Sequence, residues 1–154
     1  MRSISVSYDD RSDDEVMQFV MHEVFADSHF NSGTESIQPA KGTRWGEPKD
    51  WYKSGKFTYQ FATIRTKDWL KIHDSINHST DQAHQSTVDW VQEIINTNEE
   101  SEIPTPTLAL EPTEFGEQPL EYTPVKEGRS RGVGAKEAGL ERIPILVSVR
   151  RPWL

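Results

Sequence analysis

Apolar and polar residues first alternate from Ser3 to Tyr8, with Ile4, Val6 and Tyr8 on one side and Ser3, Ser5 and Ser7 on the other. A period of two is that of a half-buried strand, and Asp9-Asp10 ends it. Ser12-Asp13-Asp14-Glu15 then carries the capping-box pattern, Ser12 at the N-cap and Glu15 at the third helical position. Val16, Phe19, Val20 and Val24 follow at spacings of three and four, so the pattern predicts a helix fraying near Asp27.

Gly33, Pro39, Gly42, Gly46, Pro48 and Gly55 punctuate residues 31–55, which read as a long loop. Phe57, Tyr59 and Phe61 share one face of a second strand, with Ala62 and Ile64 on the other. Trp69, Ile72, His73 and Ile76 form a short helical stripe after Thr66–Asp68. Ser79-Thr80-Asp81-Gln82 offers a second capping box, leading into Val88, Val91 and Ile95 with Trp90 and Ile94 alongside. The chain closes on Ile143-Pro144-Ile145-Leu146-Val147-Ser148-Val149, its most strand-like run, with Pro144 suited to a strand start or a sheet edge.

Composition changes this picture in the last third. Of 154 residues, 33 are Leu, Ile, Val or Phe, about a fifth, which is little for a charged chain to fold with. Glu99 to Glu121 holds seven Glu, no Lys or Arg, and Pro104, Pro106, Pro112 and Pro119. Such a strip resists helix formation and reads as extended, polyproline-like chain. Gly128, Gly132, Gly134 and Gly139 then mark a flexible basic loop. Residues 126–154 carry +4, so residues 1–125 carry −12 of the net charge of −8. The fold class expected is α+β: a small mixed or antiparallel sheet with two to three helices and a long extended C-terminal arm ending in a strand. The expected division is a compact body over 1–98, an acidic Pro-rich then basic Gly-rich arm over 99–142, and a C-terminal strand and anchor over 143–154. That last strand returns to its own sheet or joins a neighbour's, and the sequence leaves both open.

With no Cys in the chain, disulfides, thiolate metal sites and Cys nucleophiles are excluded. No run approaches the 18 or so apolar residues of a membrane span. Met1-Arg2-Ser3 leads into a strand and not an apolar signal core, so a soluble, unexported protein without membrane contact is expected. His73, Asp74, His78, Asp81 and His84 form a metal-ligating set by residue type, but their spacings of five and six miss the helical pair of metalloproteases. A polar interhelical turn explains them better, and His22 and His29 fall at the end of the first helix, where an imidazolium complements the dipole. No Gly-x-Ser-x-Gly elbow occurs, and the carboxylate pairs at 9–10, 13–14 and 99–100 sit at caps or in the acidic strip. Gly128-Arg129-Ser130-Arg131-Gly132-Val133-Gly134-Ala135-Lys136 invites a phosphate-loop reading but lacks the Gly-Lys-Ser/Thr ending and a predicted preceding strand. Metal, cofactor and catalytic residues are therefore not assigned.

The residues suited to partner binding are Arg129, Arg131, Arg150, Arg151 and Trp153 in the basic end, and Trp45, Trp51 and Tyr52 in the long loop. Together these features predict a non-enzymatic assembly subunit whose basic arm lies on the acidic face of the next copy in a ring. A small cysteine-free body in this element order, ending in a terminal strand, resembles the neck, connector and tail-completion proteins of tailed phages. The resemblance implies a virion location, assembly in the host cytoplasm, and copies of itself and other structural proteins as partners. Direct nucleic-acid contact is not expected, and a location outside a virion would be cytoplasmic. The alternatives are a small acidic, nucleic-acid-mimicking inhibitor of a basic partner, and a metal-dependent enzyme using the His73–His84 cluster.

Overall fold

Ile143–Val149 lies in the middle of a sheet. The computed structural model describes residues 3–26, 37–40, 44–48, 50–76 and 84–153, with side chains except at Ala26, Asp50, Trp51, Ser75 and Ile76. In chain order the elements are β1 (Ile4–Val6), α1 (Asp13–Met21) running into a π turn (His22–Ala26), β2 (Ile37–Pro39), β3 (Phe57–Arg65), α2 (Thr66–Ile76) and α3 (Gln85–Asn96), followed by β4 (Thr107–Pro112), β5 (Leu120–Glu127), α4 (Arg129–Glu137) and β6 (Arg142–Arg150). Short 3-10 turns occupy Asp50–Ser54 and Glu100–Glu102. The six strands make one sheet in the order β1-β5-β4-β6-β3-β2. All neighbours are antiparallel except β4 and β6.

β1, α1, β3 and α2 form where the patterns place them, whereas α3 begins at Gln85 with His84 as its N-cap and not at a box beginning with Ser79. Ser12 Oγ accepts the Glu15 N–H and the Glu15 carboxylate accepts the Ser12 N–H, completing the capping box. β3 and α2 follow one another without a gap, at Arg65 and Thr66. The second capping box, at residues 79–82, lies outside the described residues, as do His29 and His78. Within the expected long loop, β2 adds an edge strand to β3. Gly46 bridges to Pro104, its N–H donating to the Ile103 carbonyl at 2.7 Å. A Cβ at Gly46 would stand 2.5 Å from the Ser101 carbonyl oxygen, so only glycine permits this approach.

The extended C-terminal arm does not appear. Residues 99–142 hold β4, β5 and α4, and one hydrophobic cluster joins Ile4 to Val149 across the whole chain, without a break at Asn98. The strip contains few apolar residues, but they gather in its two strands, alternating with polar ones in β5 and running Leu108-Ala109-Leu110 in the buried β4. Leu108 and Leu110 in β4, and Leu120 and Tyr122 in β5, turn to the core while Glu111 and Glu121 are exposed. Averaging composition over twenty residues hides a signal of period two. Pro112, Glu114, Glu117 and Pro119 fall in or beside the connection between the two strands.

Register partners share a face, so Ala62, Ile64, Leu108, Leu110, Ile143, Ile145, Val147 and Val149 line one side of the sheet. The same cluster contains Val16, Met17 and Val20 of α1, Trp69 and Ile72 of α2, and Val91, Ile94 and Ile95 of α3. The opposite side carries Tyr59 and Phe61, with Tyr52 of the 3-10 turn set edge-on against them at 4.9 and 6.4 Å. Pro144 pairs with Thr63 before the β4 ladder begins at Leu146, so its missing N–H deprives no bond on the β4 side.

Among the described residues four α-helices replace the two to three expected, and the fourth is built from the glycine-rich stretch. Two glycines inside a nine-residue helix cost about 1 kcal/mol each relative to Ala. Contact offsets this: a Cβ on Gly132 would lie 2.8 Å from Trp69 Cδ1, and one on Gly134 would lie 2.8 Å from Val91 Cβ. The glycines therefore let α4 lie against α2 and α3, where a flexible loop was expected. Gly134→Ala is expected to lower stability by about 1–3 kcal/mol through overpacking, despite its better helix propensity. Gly116→Ala, with open space around it, is expected to stay within about 0.5 kcal/mol. Urea unfolding of the two variants checks the contrast, and equal midpoints would show that α4 does not pack this closely.

Candidate anion-binding site at the helix starts

Most of the residues singled out for partner binding serve the fold. Trp45 and Tyr52 are buried, and the side chain of Trp51 lies outside the description. Arg131 is buried, donates from Nη1 to the Pro104 carbonyl at 2.7 Å and pairs with Glu127 one helical turn away. Arg151 bridges Asp13 at 2.7 Å and also donates to the carbonyls of Gly55 and Phe57, closing the start of α1 onto the end of β6. The Arg150 guanidinium sits over the rings of Phe57 and Phe115 at 5.4 and 5.8 Å. Trp153 is 58 % exposed and meets Tyr8 edge-on at 5.1 Å.

Two tyrosines near that end hold their protons tightly. Burial raises the Tyr8 phenol above its usual range, although its hydrogen bond with Thr58 works against the shift. Burial lifts Tyr122 well above that range, with Tyr8 nearby adding to it, and its hydroxyl donates to the Arg150 carbonyl at 2.7 Å. Both are hydrogen-bonded parts of the core and stand apart from the polar cluster that follows.

That cluster forms where β5 ends. Gly128 takes φ 118°, a left-handed turn that side chains disfavour, and a Cβ there would strike Pro106 at 2.6 Å. The chain thus passes from strand to helix in one residue. The first helical bond of α4 runs from the Gly132 N–H to the Gly128 carbonyl, so the amides of Arg129, Ser130 and Arg131 precede the ladder. In α3 the Thr87 and Val88 amides both donate to the His84 carbonyl, which leaves those of Gln85 and Ser86 ahead of its ladder. The His84 N–H donates to Ser130 Oγ at 3.0 Å and ties the two helix starts together.

Neither start has a side-chain cap or an acidic residue in its first turn. In contrast, α1 opens with Asp13, Asp14 and Glu15, and α2 with Asp68. Each helix contributes about half a positive charge at its N-terminus, so the joined starts of α3 and α4 amount to about one. Two further cations stand beside them. Arg129 Nε is 3.0 Å from Asp74 Oδ1, an exposed pair that offsets a carboxylate at the negative end of α2. Lys126 Nζ is 2.9 Å from His73 Nδ1. A lysine ammonium can only donate, so Nδ1 is the acceptor in this contact. The ring of His73 is held in turn by the edge of Trp69, 5.9 Å between centroids.

Of the residues named from the sequence, this place gathers Arg129, with Arg131 behind it holding β5 to α4. It also unites His73, Asp74 and His84 of the histidine cluster, though through separate pairs. Among the described residues no group of three or more His, Asp or Glu is placed to hold a metal. Ser130 belongs to the glycine-rich stretch that invited a phosphate-loop reading, whereas Lys126 entered only in the charge count of residues 126–154. Among the described residues no helix is long and apolar enough to cross a membrane. No protein family, curated protein or solved structure matches the chain.

The two arginines differ in what they support. Arg131→Ala is expected to cost about 2 kcal/mol, because a buried carbonyl and Glu127 lose a charged donor. Arg129→Ala, at a solvated pair, is expected to cost about 0.5 kcal/mol or less. Urea unfolding followed by tryptophan fluorescence checks this, and an Arg129 cost equal to that of Arg131 would contradict the placement.

Proposed function

We propose that the chain is a binding domain for a small phosphate-bearing ligand, held where α3 and α4 begin. The observation that carries this is the His84–Ser130 hydrogen bond, which joins two helix starts that the chain's own carboxylates leave uncovered, next to Lys126 and Arg129. Helix N-termini present several amides and a positive dipole to an anion, and a guanidinium adds a fork that matches phosphate oxygens. Arg129 exchanges Asp74 for the ligand, and Ser130 Oγ, accepting from His84, keeps its own proton to donate. A long polyanion would lie close to many carboxylates of a chain with a net charge of −8, whereas a single ligand meets only its local site and is screened from carboxylates more than about 8 Å away, which favours a nucleotide-sized molecule over a nucleic acid.

Calorimetric titration of the full chain with a nucleoside triphosphate, with duplex DNA in a parallel arm, tests the proposal. Saturable binding of the triphosphate is expected, weakened about tenfold by Arg129→Ala or Lys126→Ala, each removing a charge-assisted contact. Absence of binding, or binding unchanged from the parent chain in both variants, would overturn it, and tighter binding of the duplex would replace the small ligand with a phosphodiester backbone.

A second reading retains the structural subunit, in a phage neck or another assembly, and substitutes charge poles for the arm. Its premise of an unsupported C-terminal third no longer holds, because that third forms half of the sheet. What favours it is that two arginines meet at one end of the β3–β6 pair, while carboxylates gather with Arg150 and Arg151 at the other. Arg65 and Arg142 pair at one end, while Asp13 and Asp14 flank the other beside Phe57 and Arg151. Contacts of one pole with the opposite pole of another copy are heterologous and generate rings or filaments. Light scattering across protein concentration is expected to show a larger species at low salt that dissociates as salt rises. A monomer under all conditions would end this reading.

A further inference from the structure

The two sides of the sheet are finished differently. Its outermost strands, β1 and β2, have three residues each, whereas β5 and β3, which they flank, have eight and nine. β1 pairs with residues 120–122 and β2 with residues 62–64, so each long strand runs on past its short neighbour. An uncovered strand edge presents main-chain groups ready to pair with another chain, and native sheets block it with Pro, charge or a bulge. The free length of β5 contains Pro124, which has no N–H to offer. The free length of β3 is Phe57-Thr58-Tyr59-Gln60, with neither Pro nor charge.

Three hydrogen bonds fix which groups of that length face outward. The Arg151 N–H donates to the Lys56 carbonyl at 2.8 Å and extends the ladder with β6 by one residue. In an antiparallel pair every second residue exchanges bonds with its partner strand. Thr58 and Gln60 therefore turn their main-chain groups to β6, while Phe57, Tyr59 and Phe61 turn theirs away. On that outer side the Phe61 carbonyl accepts the Ala40 N–H at 3.2 Å, and the Phe57 carbonyl accepts Arg151 Nη1 at 3.1 Å. Between them, the N–H and carbonyl of Tyr59 meet no hydrogen-bonding group among the described residues. The ring of Tyr59 is 46 % exposed.

The first turn of α1 stands beside this edge. A cavity of about 430 Å³ lies between them, with Asp13, Asp14 and Met17 of α1, Arg151 and residues 57–60 in its lining. Thr58 Oγ1 donates to Asp13 Oδ1 at 3.3 Å and holds the helix to the strand. Asp13 is occupied by that bond and by Arg151. Asp14 is exposed, and no ion pair engages it among the described residues. An extended chain laid along β3 alternates its side chains. Its residue opposite Tyr59 shares a face with Tyr59 and Tyr52, and the residues on either side turn with Thr58 and Gln60 toward α1.

We propose that the free edge of β3 takes up an extended segment of a basic partner protein as an added strand, with an apolar residue opposite Tyr59 and lysine or arginine on either side, facing Asp14. Two main-chain hydrogen bonds to Tyr59 set its position, and the carboxylate selects its charge. Met17 meets the alkyl stem of the basic side chain. A second copy fits less well. Pairing two β3 edges about a two-fold axis sets both α1 starts side by side, Asp14 against Asp14, in a chain with a net charge of −8.

The test follows amide chemical shifts of the full chain titrated with a hexapeptide alternating lysine and valine, and in a parallel arm with one alternating glutamate and valine. Saturable binding of the lysine peptide is expected, with the largest shifts at Asp14, Thr58, Tyr59 and Gln60, and weaker binding as salt rises. Methylating the peptide's main-chain nitrogens removes its donors, keeps its side chains and leaves the protein unchanged, and it is expected to weaken binding about fivefold. Asp14→Lys is expected to weaken binding about fivefold as well. Glu93→Lys, exposed on α3, makes the same change in net charge and is expected to leave binding unaltered. Thermal unfolding of both variants confirms that they fold. Absence of binding, equal binding of the glutamate peptide, unchanged binding after methylation, equal loss in both variants, or shifts confined to residues 85–86 and 129–131 would overturn the proposal. So would shifts at Tyr59 on concentrating the protein alone, with a growing species in light scattering, because a second copy would then be the occupant. Failure of anion binding at the helix starts of α3 and α4 leaves this result unaffected, since the two places shift different amides.

Discussion

The ladders on the two edges of β6 hold the molecule together. On one side β6 pairs with β3 along nine residues, and on the other with β4 from Leu146 to Val149. Among the described residues no other pairing links the β2–β3 half of the sheet to the β1–β5–β4 half. Ile143, Ile145, Leu146, Val147 and Val149 are all buried, each contributing about 2 kcal/mol on burial. The last strand therefore joins two half-sheets that could not otherwise share a core, and it does so with contacts distant in sequence. Folding must bring residues 57–65, 107–110 and 142–150 together before any half is complete, a topology that slows folding.

The same pairing decides where chemistry can occur. Because β5 and β3 end where β6 begins, the connections into α2, out of β5 and out of α4 all lie at one end of the sheet. Lys126, Arg129, Lys136, Arg65, Lys67 and Arg142 belong to those connections or to the residues flanking them. The N-terminal acids Asp9, Asp10, Asp13 and Asp14 follow β1, which reaches the opposite end beside Leu120. The opposite end also receives Lys56, Arg150 and Arg151, so the fold redistributes charge that the sequence separates, and Arg151 meets Asp13 there.

How much was legible depends on the length scale of each signal. The capping box at Ser12 and Glu15, the β3 alternation and the α2 stripe act within one element, and each formed as its pattern indicates. The apolar run at the C-terminus was readable as a strand, but its position between β3 and β4 was not, because apolar residues on both faces fit a covered edge and a sheet centre equally. The strands β4 and β5 were lost to composition, which counts glutamates and prolines without regard to the face they occupy. The helix α4 was lost to propensity, which rates Gly132 and Gly134 by backbone freedom and not by what they let α4 touch. Trp45 and Tyr52 turned inward for a related reason. Trp45 became core only once the Gly46–Pro104 bridge closed its loop, a contact between residues nearly sixty apart.

That helix is also where fold and site meet. A nine-residue segment with two glycines has little helicity alone, so α4 exists because Trp69 and Val91 receive its glycines closely. Its rise of about 1.5 Å per residue sets its two ends about 12 Å apart. At its start the chain leaves amides uncapped beside Lys126 and Arg129, and at its end it delivers Lys136 to a cavity with Arg65 and Arg142. A helix with intrinsically strong propensity would keep its shape whatever met its ends. One held mainly by glycine contacts has little margin of its own, so an anion that satisfies its first-turn amides adds directly to the free energy that keeps it helical. The glycines that make α4 unreadable as a helix are thus the same feature that ties its shape to the contacts at Trp69 and Val91.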